Sequence, residues 1–152
     1  MVVLVIDVGG SHVKVCVSPH PHIRRFNSGA ELTPQALVEQ VSAHTSDWRY
    51  DVISIGFPGI TGAKGPEAEP GNLGNGWIGF DFERALGKPV RLVNDAVMQA
   101  LGAYDGGRMI FLDWVPAWGP QWSPNMSSFR SSSGTCLCEA ARRWRSGSVP
   151  RV

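Results

Sequence analysis

The residues best suited to chemistry lie near the N-terminus, where a carboxylate, two glycines, a hydroxyl and an amine follow one another: Asp7, Gly9, Gly10, Ser11 and Lys14. The glycines can take positive φ and carry no side chain, so backbone N–H groups and the serine hydroxyl can approach a phosphate closely. A carboxylate here suits Mg²⁺, which keeps several waters and takes few protein ligands. The alternative is an ordinary tight hairpin with a solvated Asp and Lys.

The sequence on either side of this turn predicts two strands. Residues 2–6 are an apolar run, typical of a strand buried on both faces, and valines alternate with other residues from 13 to 17, typical of a half-buried strand. A dinucleotide-binding fold would instead follow its glycines with a helix and show Gly-x-Gly-x-x-Gly. The sequence shows neither feature, so that interpretation is set aside.

A second candidate is the pair Asn94 and Asp95, which lies between a predicted buried strand and a predicted helix. Both residue types are preferred helix caps, and acidic residues favour helix N-termini, so capping alone explains the pair. In a chemical interpretation, Asp95 accepts the proton of a substrate hydroxyl that attacks a phosphoryl group, while Asn94 orients the substrate by hydrogen bonding. The choice between the two depends on the motifs that accompany the pair.

The elements that must position these residues alternate along the chain. Further strands are predicted at residues 20–26, 51–57, 90–93 and 109–112, and helices at 33–44, 81–86 and 94–104. Thr33 is the expected N-cap of the first helix, with Pro34 in its first turn. Residues 60–79 are rich in Gly and Pro and are expected to be irregular. An initial meander followed by alternating strands and helices predicts an α/β domain with a mixed sheet.

The composition of the 152 residues, 43% hydrophobic and 18% charged, is that of a globular domain. The net charge of +1 gives no support for binding to nucleic acid or to a membrane surface. Without a membrane-spanning run or a basic leader, a cytoplasmic protein is expected. Cys16, Cys136 and Cys138 form no disulfide framework or zinc spacing, and His20 and His22 are expected in a solvated turn rather than a metal site.

Four motifs occur in order: the Asp-x-Gly-Gly-Ser turn, Gly-Phe-Pro-Gly at 56–59, Asn72 ahead of Trp-Ile-Gly at 77–79, and Asn94-Asp95. This ordered set resembles the ROK family of sugar kinases and repressors, and most of all its polyphosphate glucokinase branch, over about residues 2–112. The resemblance implies an actin/hexokinase-like (ribonuclease H-like) α/β lobe with a mixed sheet at 1–106, and the start of a second, truncated lobe at 107–112.

The resemblance also implies roles for individual residues. At the phosphoryl donor it places Asp7, Gly9, Gly10, Ser11 and Lys14, with Mg²⁺ bound to Asp7 through water. Asp95 becomes the catalytic residue, and the sugar-binding set is Pro58, Gly59, Asn72, Asn94 and Asp95. The implied reaction is phosphoryl transfer from ATP or polyphosphate to the 6-hydroxyl of glucose. A homodimer is expected only for a full-length form.

Three alternatives remain. A non-enzymatic, sugar-sensing ROK repressor would carry an N-terminal helix-turn-helix, whereas here Val2 opens the first strand directly. A type III pantothenate kinase of the same superfamily has a similar turn, but its turn continues Asn-Thr rather than Gly-Ser, and the Asn-Asp pair favours a sugar. A small binding module could use the Trp-rich C-terminal segment to recognise a partner.

The family pattern stops after Leu112, and four of the six tryptophans follow it: Trp114, Trp118, Trp122 and Trp144. If residues 113–123 are read one base earlier, their codons can spell Gly-Leu-Gly-Thr-Gly-Leu-Gly-Ser-Ala-Val-Val, which resembles the second phosphate motif of the family. We therefore hypothesise a frameshift near codon 113, with residues 113–152 an out-of-frame, disordered tail. Such a chain is expected to be poorly soluble and to lack kinase activity, because one lobe is missing.

Overall fold

The computed structural model describes residues 1–18, 20–62 and 65–103. Its strands are β1 (Val3–Val8), β2 (His12–Ser18), β3 (His20–Asn27), β4 (Val52–Phe57), β5 (Thr61–Gly62), β6 (Gly65–Pro66) and β7 (Val90–Asn94). Its helices are α1 (Pro34–His44), α2 (Phe82–Leu86) and α3 (Asp95–Ala103). The predicted strand at 109–112, the second lobe from 107 and the tail at 113–152 lie outside the described residues.

Five strands form one mixed sheet in the order β3-β2-β1-β4-β7. The meander β1-β2-β3 is antiparallel, whereas β4 pairs parallel to β1 and β7 pairs parallel to β4. The predicted mixed α/β sheet is therefore confirmed. Because β1, β4 and β7 run in the same direction, their C-terminal ends meet at one edge of the sheet, where α/β proteins place their ligands.

The central strand β1 is buried on both faces, as its apolar run predicts. Leu4, Ile6 and Val8 belong to the larger apolar cluster, which includes the buried residues of α1. Val3 and Val5 belong to a second cluster, which includes Met98 of α3. Since side chains alternate along a strand, Asp7 lies on the same face of β1 as this second cluster. The sheet is thus covered on two sides, and Asp7 is on the side of α3.

Helix α1 begins as the sequence predicts. The Oγ1 atom of Thr33 accepts a hydrogen bond from the backbone N–H of Ala36 at 3.2 Å, and Pro34 occupies the first turn. Its buried side chains include Leu37 and Val41, which pack against the sheet. The helix therefore covers the face of the sheet opposite Asp7.

The segment predicted to be irregular contains a short hairpin of β5 and β6, with Thr61 opposite Pro66. Gly65 has a φ of +121°, which only glycine adopts without strain, so this residue permits the reversal. Farther along the segment, the Trp77 side chain is fully buried against Phe57 and Phe82. Within the described residues, no helix is long and apolar enough to cross a bilayer.

Candidate functional site

The first element of the candidate site is the pair formed by Asp7 and Lys14, which lie opposite each other on β1 and β2. Lys14 Nζ is 3.8 Å from Asp7 Oδ2. Asp7 is only 9% exposed, and this burial raises the pKa of its carboxyl. The Lys14 ammonium opposes that rise, and the charge of Asp95 adds to it. Asp95 is therefore close enough to Asp7 to interact with it electrostatically, as a shared site requires.

The glycine turn between β1 and β2 is held by backbone hydrogen bonds. The N–H of Gly9 donates to His12 O at 3.1 Å, and the N–H of Ser28 donates to Ser11 O at 3.0 Å. A Cβ at Gly9 would lie 2.9 Å from His12 O. The sequence suggested that Gly9 and Gly10 could take positive φ, but neither does. Positive φ is therefore not the reason that glycine is needed here. The requirement is space, because other backbone and side-chain atoms approach these residues closely.

At Gly10 the neighbouring group is the side chain of Asn72, whose Nδ2 would overlap a Cβ at that position. The described structure thus brings the predicted phosphate turn against a residue of the predicted sugar loop. Both Asn72 and Ser11 are exposed, so the two polar groups are accessible to a ligand.

Gly56 brings helix α3 close to the sheet. It is the partner of Asp7 in the β1-β4 ladder and of Val93 in the β4-β7 ladder. A Cβ at Gly56 would lie 2.9 Å from Met98 Sδ and 3.6 Å from the Cα of Asp95. The start of α3 therefore packs over the strand residue next to Asp7. In the sequence, Gly56 was visible only as the first residue of the Gly-Phe-Pro-Gly motif.

Asn94 caps α3, as the structural interpretation of the pair predicts. Its Oδ1 accepts hydrogen bonds from the N–H groups of Ala96 at 3.0 Å and Val97 at 3.3 Å, and its Nδ2 donates to Gly59 O at 3.0 Å. Asp95 Oδ1 accepts from the N–H of Ala96 at 2.8 Å. Asn94 therefore joins the loop after β4 to the start of α3.

The loop after β4 contains Pro58 and Gly59, both of which are half-buried. The N–H of Gly59 donates to Phe57 O at 2.9 Å, which folds the loop back on the strand end. An open groove passes along Gly59 and Asn94, and its apolar wall includes Ile60 and Val97. This groove begins at the residues predicted to contact a sugar.

The chemistry of the donor set fits a magnesium ion that is held mainly by water and by phosphate oxygens. Asp7 supplies a buried carboxylate whose ionised form is destabilised by burial and by Asp95, so a cation beside it would be favourable. Mg²⁺ characteristically uses one or two carboxylates together with substrate phosphates. Within the described ranges, His, Cys, Asp and Glu form no group of three or more that could hold a metal alone.

Similarity to known proteins is found at the level of structure. The ROK hexokinase from Thermus thermophilus matches with a TM-score of 0.55 and 24% identity, over 67% of this chain and 38% of that chain. A ROK family glucokinase from Streptomyces griseus, in complex with glucose and AMPPNP, matches with a TM-score of 0.53 and 22% identity, over 68% and 36%. A ROK family protein from Streptococcus pneumoniae, in complex with sucrose, matches with a TM-score of 0.54 and 23% identity, over 67% and 37%.

These likenesses confirm the predicted actin/hexokinase-like fold, and this chain spans well under half the length of each of the three proteins. No model of a protein family matches the sequence, and no curated protein does.

Proposed function

We propose that this chain carries the phosphate-binding and catalytic half of a sugar kinase, which transfers a phosphoryl group from ATP or polyphosphate to the 6-hydroxyl of glucose. The observation that carries this proposal is the placement of Asp95 at the start of α3, over Gly56 and within electrostatic reach of Asp7. A candidate base and a candidate donor site thus share one face of the sheet.

In this proposal Asp95 is the general base. Its carboxylate accepts the proton of the sugar 6-hydroxyl as the oxygen attacks the transferred phosphorus. A bond forms between that oxygen and the phosphorus, and the bond from the phosphorus to the bridging oxygen of the donor breaks. The donor leaves as ADP or as a polyphosphate shortened by one unit. The proton remains on Asp95 until the product departs.

The donor phosphates would lie against the glycine turn, beside the exposed Ser11 hydroxyl. Lys14 supplies positive charge beside Asp7. A magnesium ion on Asp7, bound through water, would neutralise charge on the donor oxygens. Burial of Asp7 keeps that carboxylate fixed in place on β1.

The sugar would occupy the groove beside Gly59 and Asn94. Pro58 precedes Gly59 in the loop beside this groove, Asn94 is held there by its bond to Gly59 O, and Asn72 lies beside Gly10 of the turn. Fixing the hydroxyl next to its base by several such contacts is a large part of catalysis, because it removes orientational freedom before the reaction.

Ligand binding by the 152-residue chain tests this assignment. Calorimetric titration with glucose, and separately with a Mg²⁺ complex of a nonhydrolysable ATP analogue or with polyphosphate, should show binding of glucose and of one of the donors. Asp95→Asn should weaken glucose binding by about tenfold, the equivalent of one strong hydrogen bond. The control Glu39→Gln, on the exposed side of α1, should match the wild type. Absence of glucose binding, or equal affinities for Asp95→Asn and wild type, would refute the assignment.

Turnover is a separate test. We propose that the 152-residue chain has no kinase activity, so glucose-dependent phosphoryl transfer by it would contradict this part. The nucleotide sequence around codon 113 decides the frameshift hypothesis, and one intact frame with no continuation in another would defeat it. If a continuation exists, the frame-restored protein should be active, and Asp95→Asn should lower its kcat by roughly 10²- to 10⁴-fold.

A further inference from the structure

Glu69 closes the loop that carries Asn72. Its Oε2 accepts a hydrogen bond from the N–H of Trp77 at 3.1 Å, and its Oε1 accepts one from the N–H of Ile78 at 3.2 Å. The N–H of Gly76 also lies close enough to this carboxylate to help lower its pKa. One side chain thereby holds the far end of the loop against its beginning. We call residues 70–76 the Asn72 loop.

Two further hydrogen bonds hold the Asn72 loop in place. The indole N–H of the buried Trp77 donates to Gly74 O at 2.6 Å, and the N–H of Gly74 donates to Leu32 O at 3.0 Å. These bonds attach the loop to the core and to the segment before α1. Asn72 itself is exposed and its side chain lies beside Gly10, so closure of the loop by Glu69 adds to the contacts that position it.

The closing group is a charged acceptor. The N–H of Trp77 contributes most to lowering the pKa of the Glu69 carboxyl, burial opposes this effect, and the N–H groups of Ile78 and Gly76 add to the lowering. Glu69 is therefore ionised at neutral pH. Hydrogen bonds from N–H groups to a carboxylate are stronger than those between neutral partners, so this closure is suited to hold an otherwise exposed loop.

We propose that Glu69 is a positioning residue for the acceptor sugar: by clamping the N–H groups of Trp77 and Ile78, it closes the Asn72 loop and holds Asn72 where it can face the sugar. This inference rests on the proposed function, since it assumes that Asn72 contacts the sugar. Glu69 itself is not a catalytic residue, because it acts only through the loop.

The proposal is tested on the whole 152-residue chain with the variants Glu69→Ala and Glu69→Gln. Hydrogen exchange at the amides of Gly76, Trp77 and Ile78 should accelerate strongly in Glu69→Ala, and less in Glu69→Gln, whose single amide oxygen can still accept one bond. Glucose affinity should fall about tenfold in Glu69→Ala and by less in Glu69→Gln. The matched control is Glu67→Gln, an exposed carboxylate of the same segment, which should leave both measurements unchanged.

Affinity for the donor separates the positioning role from a general loss of stability, because a general loss of stability would lower donor affinity as well. The glycine turn is closed by its own bond from Gly9 to His12, so Glu69→Ala should leave the affinity for the Mg²⁺–nucleotide analogue or polyphosphate unchanged. Unaltered amide exchange in Glu69→Ala, or an equal fall in glucose and donor affinity, would overturn the positioning role. If the wild type binds no glucose, the proposed function and the positioning role fail together, whereas normal glucose binding with unaltered exchange overturns the role of Glu69 alone.

Discussion

The side-chain amide of Asn72 lies against Gly10 so closely that a single methyl group on Gly10 would overlap its nitrogen. The predicted phosphate turn and the predicted sugar loop are far apart in sequence, yet here they are in direct contact. A substitution at either residue should therefore alter the position of the other. This contact offers a way to test whether donor and acceptor groups are organised as one site.

Gly10→Ala should displace the amide of Asn72 with little loss of stability, because the atom that must move is at the end of an exposed side chain. We expect glucose affinity to fall about tenfold, as in Asn72→Ala, while the Tm stays near that of the wild type. The double variant should be no worse than either single variant, since both remove the same interaction. Calorimetric titration of the four proteins measures this.

Gly71→Ala is the matched control for Gly10→Ala. A Cβ at Gly71 would meet nothing within 4 Å, and its φ is not positive. We expect this variant to bind glucose as the wild type does. Additive losses in the Gly10→Ala, Asn72→Ala double variant would show that the two residues act independently, contrary to our interpretation.

Local signals in the sequence predicted the elements well. The buried run of β1, the Thr33 cap with Pro34, and the capping of α3 by Asn94 each depend on residues that are neighbours in the chain. Such features follow from backbone hydrogen bonding and from the period of apolar residues, which the sequence displays directly. These elements also limit the possible strand orders, because only strands joined by a long crossover connection can pair in parallel.

The contacts that complete the site could not be predicted in this way. Glu69 lies in a segment without periodicity, and nothing in the sequence says which backbone groups its carboxylate binds. Likewise, the need for glycine at Gly10 and Gly56 comes from side chains that only tertiary folding brings near. The expectation of positive φ in the turn rested on what glycine can do, whereas the structure uses its lack of a side chain.

Gly56→Ala should separate α3 from the sheet. Its new Cβ would lie 2.9 Å from the Sδ of the buried Met98, so the helix or the methionine must shift, at a cost of about 1–3 kcal/mol in the free energy of unfolding. Because Asp95 begins that helix, glucose affinity should fall as well. Thermal unfolding and titration measure the two effects.

Shortening the methionine gives the control for this prediction. Met98→Ala alone should destabilise the protein by about 2–5 kcal/mol, because it leaves a cavity, and adding Gly56→Ala should cost less than it does in the wild type. If the two substitutions are additive, close packing at Gly56 is not what places α3.

Arg24 holds the end of α1 to the edge of the sheet. Its guanidinium donates to His44 O at 2.7 Å and to both carboxylate oxygens of Asp47, and it lies 4.4 Å from the ring centroid of Trp48. The bond from Arg24 lowers the pKa of Asp47 to about 2. The stability that this pair contributes is therefore complete above the ordinary pKa of Asp47 and is lost as the pH falls toward 2.

Arg24→Gln should accordingly lower the Tm at pH 7, and the difference from the wild type should shrink as the pH falls from about 4 toward 2, the range in which Asp47 gains its proton. Thermal unfolding followed by circular dichroism at several pH values measures this. Arg25→Gln, which changes the exposed neighbouring arginine, serves as the control. A difference that stays constant with pH would exclude the Asp47 pair as its source.

Asp7→Asn should raise the Tm in metal-free buffer at neutral pH, although it should abolish donor binding. Burial, together with Asp95, raises the pKa of Asp7, so the folded state holds this proton more tightly than the unfolded chain does. Protonated Asp7 therefore stabilises the folded state fully below the ordinary pKa, and this stabilisation is lost as the pH rises through the raised pKa. Asparagine, which carries no charge, should accordingly raise the Tm at neutral pH but not in acid. The exposed Asp51, whose pKa is lowered chiefly by the N–H of Val2, gives the opposite control: Asp51→Asn should lower the Tm at neutral pH. A lower Tm for Asp7→Asn at neutral pH would show that Asp7 serves stability rather than ligand binding.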